Sequence, residues 1–81
     1  MTVSIRIGVK HASLETAQKA VDSYASEHGY TSSTDQEEGV VGIINAPGAM
    51  IDLIRIQGDL WQEITAEIAV DDVLFVNGRA S

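Results

Sequence analysis

The chain has 81 residues, no cysteine and a formal charge of -7 at pH 7, which reads as one domain over residues 1–81 with neither disulfides nor a thiolate metal site to support a small core. Its 5 Lys and Arg against 12 Asp and Glu argue against direct binding to nucleic-acid backbones or anionic membranes, which both require clustered cations. No apolar run reaches the ~18 residues that span a bilayer and no signal-peptide pattern opens the sequence, so with the absence of cysteine we expect a soluble, cytoplasmic protein.

Thr2 to Val9 alternates, with Val3, Ile5, Ile7 and Val9 on one side and Thr2, Ser4, Arg6 and Gly8 on the other. That is the pattern of a half-buried strand. Lys10, His11 and Ala12 connect it to the strongest periodic segment of the chain, residues 13–28. There Leu14, Ala17, Val21, Tyr24 and His28 recur at steps of three and four, widened by Ala20 and Ala25, while Glu15, Gln18, Lys19, Asp22, Ser23, Ser26 and Glu27 occupy the opposite face. The spacing predicts one long helix with a single buried stripe, started by Ser13 as cap and ended by Gly29.

Tyr30 to Asp35 is rich in Thr and Ser and suits a short edge strand. Asp35 to Gly39 is an acidic turn, and Val40 to Ile44 is a short apolar strand, so the two segments form a hairpin. Asn45–Ala46–Pro47–Gly48 carries the only proline and fits either a type II turn or the start of a short helix with Met50, Leu53 and Ile54 buried.

Two readings compete for the next stretch. Gly58–Asp59 is a two-residue hairpin signal that would set Ile56 opposite Trp61 and Leu53 opposite Ile64, with Glu63, Thr65 and Glu67 on the other face. Alternatively, Asp59 caps a second helix over residues 59–69, with Leu60, Trp61, Ile64 and Ile68 as its stripe. The hairpin is preferred because its faces match across the whole register. Asp71–Asp72 then reads as a turn, Val73 to Val76 as a last strand closed by Asn77–Gly78, and residues 79–81 as a frayed tail.

The fold class expected is therefore α+β in two layers: one long helix over about 13–28 packed on a mainly antiparallel sheet, in the order strand, helix, meander. In outline this is similar to the cystatin or monellin arrangement. The second-helix alternative gives the ferredoxin-like order βαββαβ.

Few residues invite chemistry. Lys10, His11 and Ser13 stand where a strand feeds a helix N-terminus, whose unpaired N–H groups attract phosphate or carboxylate. In length, and in having a strand that leads to His11–Ala12 at a helix start, the chain is similar to the phosphocarrier HPr. That resemblance implies a phosphoacceptor role for His11, although Ser13 and Leu14 replace the arginine and proline of that family's motif. His28 at the helix C-terminus suits a capping role. No zinc-binding histidine spacing, calcium loop, nucleophile elbow or phosphate-cradling glycine pattern occurs, so we expect no cofactor, no metal and no enzyme activity.

Acidity is the remaining feature. Residues 1–20 hold Arg6, Lys10 and Lys19 against Glu15, whereas residues 35–72 hold Asp35, Glu37, Glu38, Asp52, Asp59, Glu63, Glu67, Asp71 and Asp72 against Arg55 alone. A solvated, solubilising face accounts for part of this. The functional expectation is a protein-binding module, an inhibitor or regulator that docks on a basic protein surface through Asp35, Glu37, Glu38, Glu63, Glu67, Asp71 and Asp72. The alternatives are a small-ligand or phosphate-handling domain built on Lys10, His11 and Ser13, and a homo-oligomeric structural component.

Overall fold

The alternating apolar residues of β1 (Thr2–Val9) all reach one side of a sheet, where Val3, Ile5, Ile7 and Val9 are buried. The computed structural model describes residues 1–80 and builds that sheet from four strands: β1, β2 (Thr31–Asp35), β3 (Val40–Pro47) and β4 (Val73–Ala80). Their spatial order is β2-β3-β1-β4, and every neighbouring pair is antiparallel. Ile5 faces Ile43 on one side and Gly78 on the other, and Ile7 faces Val41 and Val76, so the apolar set stays in register across the three longest strands.

Two helices cover this face. α1 (Leu14–His28) buries Leu14, Ala17, Ala20, Val21, Tyr24 and Ala25, and Gly29 ends it in the left-handed conformation at φ 72°. The expected stripe is borne out except at His28, which is exposed. α2 (Met50–Glu67) buries Leu53, Ile56, Leu60 and Ile64. Helix α1 rests on β2 and β3, and α2 on β1 and β4.

The two-layer α+β class with an antiparallel sheet is thus the one the chain adopts, but the preferred hairpin at Gly58–Asp59 does not form. One continuous helix runs through both residues, and the elements follow the alternative order βαββαβ. Geometry supplies the reason. A helix about 10 Å wide shields roughly two strands spaced ~4.8 Å apart, so α1 alone would leave half of a four-stranded sheet bare. A helical 50–67 covers that half with four large side chains, whereas a hairpin would extend the sheet and enlarge the uncovered area.

Smaller differences have local causes. Pro47 ends β3 instead of occupying a turn, and α2 begins at Met50 with the Asp52 carboxylate accepting the N–H of Ala49 at 3.3 Å. Met50 and Ile54, expected on a buried helical face, are exposed. Asn45 is the bulge residue of β3, at φ 56°, where the pairing steps from Ile5–Ile43 to Val3–Ala46. Strand β4 continues through Asn77 and Gly78 to pair Ala80 with Val3, so residues 79 and 80 belong to the sheet instead of a frayed tail; Ser81 lies outside the described residues.

Candidate functional site

Sheet order decides which connections meet. The N–H of Val9 donates to the carbonyl of Gly39 at 2.9 Å, and that of Lys10 to the carbonyl of Asp72 at 2.8 Å. These bonds join the β1–α1 connection, the β2–β3 turn and the short 3-10 turn Val70–Asp72 at one end of the sheet. Residues far apart in sequence therefore become neighbours: Lys10, His11 and Ser13; Asp35, Glu37 and Glu38; Asp71 and Asp72. Helix α2 also finishes at this end with Glu67, and Glu63 lies one turn earlier.

Several of these side chains are already engaged. Asp35 accepts the N–H groups of Glu37 and Glu38 at 3.1 and 3.2 Å, an Asx turn that shapes the hairpin. Arg6 reaches Glu38 at 3.2 Å. Asp72 accepts the hydroxyl of Ser13 at 2.7 Å and lies 3.6 Å from the Lys10 ammonium. Among the described residues, Glu37, Glu63, Glu67 and Asp71 have no ion-pair partner, and all four are exposed. Glu63 and Glu67 line a groove of about 270 Å³ with Thr16, Lys19, Ala20 and Ser23 of α1, whose Lys19 is paired with Glu15 at 3.5 Å.

The start of α1 lies beside a carboxylate of the chain itself, Asp72. Ser13 is buried, and its hydroxyl donates to Asp72 instead of capping a backbone N–H of α1. Lys10 and Ser13 both converge on that carboxylate. His11 is exposed and lines an open hollow of about 450 Å³ with Ala12, Leu14, Glu15, Gln18 and Gln36. Among the described residues, no three His, Asp or Glu side chains converge on a point where they would hold a metal ion.

A second polar junction lies between the helices, and no sequence pattern pointed to it. The hydroxyl of Tyr24 donates to Asp59 at 3.2 Å, and Arg55 lies 3.4 Å from the same carboxylate and 3.8 Å from Asp52. Burial first, then the charge of Asp59 and its hydrogen bond, push the Tyr24 phenol up to about 12. His28 stacks on the Tyr24 ring at a centroid distance of 4.1 Å, and its Nδ1 donates to the Tyr24 carbonyl at 2.9 Å. Of these contacts, the Tyr24–Asp59 hydrogen bond crosses between α1 and α2, and the others lie within one helix.

Compared with known proteins, the chain matches no family model, no curated protein and no solved structure. No described helix is long and apolar enough to cross a membrane.

Proposed function

We propose that this chain is a small non-enzymatic protein-binding module of the cytoplasm that docks its acidic end on a basic protein surface, such as that of a nucleic-acid-binding protein, and so inhibits or regulates it. One observation carries this reading: the β2–β3 turn delivers Glu37, and the end of α2 with the 3-10 turn after it delivers Glu67 and Asp71, to one end of the sheet, all three exposed and without an ion-pair partner. Neighbouring charges of one sign raise the local potential and steer an oppositely charged partner into encounter. Asp35 and Asp72 serve this surface indirectly, by holding the turns that present it.

The reading is tested by titrating isotopically labelled protein with a lysine- and arginine-rich peptide. Amide shifts should concentrate in residues 35–39 and 67–72 and should fade as salt rises, because exposed charges are screened over roughly 8–10 Å near physiological ionic strength. Replacing Glu37, Glu67 and Asp71 by lysine should abolish those shifts and leave the melting temperature nearly unchanged, since none of the three makes an ion pair. Shifts spread evenly over the surface, or insensitive to the reversals, would remove the acidic end from the binding surface. Inorganic phosphate that moves the His11 resonances instead would favour the small-ligand alternative.

A further inference from the structure

Helix α2 carries two apolar faces. Leu53, Ile56, Leu60 and Ile64 make the buried one. Ile51, Ile54, Gly58 and Trp61 repeat at the same three- and four-residue spacing on the solvent side, joined by Met50. Here Ile51 is 80% exposed, Ile54 66%, Met50 60% and Trp61 39%. A solvated helix normally turns charged and polar residues outward. This outward stripe contains no charge.

Gly58 lies at its centre. A glycine inside a helix costs stability relative to alanine, and it persists where a tight contact requires the missing side chain. Within this chain nothing requires it, because a Cβ at position 58 would meet no atom within 4 Å. The space over Gly58 is open, so another helix can approach the backbone closely there.

We infer that the outer stripe of α2 is a self-association surface, on which a second copy packs its own α2 across a two-fold axis at Gly58. An antiparallel crossing at this point sets the Ile51–Ile54 half of one helix against the Trp61–Thr65 half of the other, so one patch complements itself. The Thr65 hydroxyl already bonds to the carbonyl of Trp61 at 2.8 Å, which satisfies it without a partner. The four large residues expose roughly 500 Å² per copy, so a dimer that covered all of it would bury about 1,000 Å², close to the lower bound for a specific interface.

Charge permits the approach despite the net -7. On α2, Arg55 is paired within the helix to Asp52 and Asp59, and Glu63 and Glu67 face the groove toward α1. Strand-to-strand pairing through β4 is the weaker route, because Gln57 already donates to the carbonyl of Val76 on that edge strand at 2.9 Å.

Sedimentation equilibrium of the full chain, with the fluorescence of its one tryptophan as second readout, tests the inference. A dimer that forms reversibly as concentration rises from micromolar to millimolar is expected, and Trp61 emission should shift to the blue over the same range. Because the copies share a negative net charge, association should strengthen with salt, opposite to docking by the acidic end.

Gly58→Ala separates the contributions. It should raise the melting temperature of the dilute monomer through helix propensity and weaken dimerisation roughly tenfold or more by blocking the crossing. Ile54→Gln should abolish dimerisation with the monomer still folded. A chain that remains monomeric at millimolar concentration, or a dimer unaffected by both substitutions, would overturn the inference. A dimer lost only when β4 is altered would overturn it in favour of the sheet edge.

Discussion

Ser13 donates its hydroxyl to the carboxylate of Asp72 at 2.7 Å, across 59 positions of sequence. The bond fastens the start of α1 to the turn that launches β4, and Lys10 adds a charge contact to the same carboxylate at 3.6 Å. An internal carboxylate thus lies beside the start of α1, where the helix dipole favours an anion. The acidic end and the basic connection are thereby fastened to each other through one carboxylate.

Removing the fastening should lower stability without changing the fold. Asp72→Ala and Ser13→Ala should each cost about 1–2 kcal/mol, the scale of a hydrogen bond to a charged group at a partly solvated position. The double variant should cost little more than either alone, because both remove the same contact. Urea unfolding of the four proteins checks this. Full additivity would show that the two residues act separately.

Tyr24 makes stability depend on alkaline pH. Its folded-state value of about 12 lies above the ordinary 10.0, so the folded chain holds the phenolic proton more tightly than the unfolded chain. The resulting stabilisation is fully present below pH 10 and is lost as pH rises through about 12, with an upper size of roughly 2–3 kcal/mol. Equilibrium unfolding at intervals across that window should show the decline. Tyr24→Phe should start less stable, having lost the bond to Asp59, and should lack this component of the decline.

Asn45 should tolerate glycine and reject branched side chains. Its φ of 56° lies in the left-handed region, which asparagine enters more readily than most residues and β-branched residues avoid. Asn45→Val should destabilise by about 1–2 kcal/mol, and Asn45→Gly should lie within about 0.5 kcal/mol of the parent. Thermal melts of the two variants provide the comparison. Equal losses would mean that the asparagine side chain, not its backbone angle, matters at the bulge.

Helix α1 was legible because its information is local. Period, polar face and terminal glycine all lie within residues 13–29, and any packing that buries the stripe preserves them. Strand β1 and the β2–β3 hairpin were legible for a similar reason: alternation and an Asx turn act over a few residues. Even there the tertiary structure reassigned one role. The local pattern makes Ser13 the cap of its own helix, and the side chain turns instead to Asp72, a partner that no local pattern identifies.

Residues 51–68 were ambiguous because two periods share the same residues. Leu53 and Ile64 are apolar positions in both the alternating and the helical pattern, and Gly58–Asp59 is a hairpin turn in one and a helix interior in the other. Only the number of strands left uncovered by α1 decides between them, and that quantity belongs to the assembled sheet.

The acidity of residues 35–72 was likewise a property of the sequence, but its distribution was not. Tertiary structure commits Asp35, Glu38 and Asp72 to internal partners, sets Glu63 and Glu67 along the groove beside α1, and leaves Glu37, Glu67 and Asp71 exposed without an ion-pair partner at one end. Sequence by itself determined charge, the first helix and the class of fold, since these follow from composition and short-range periodicity. Strand order and helix packing determined which charges remain free and which face of α2 meets solvent, because both depend on contacts between residues distant in the chain.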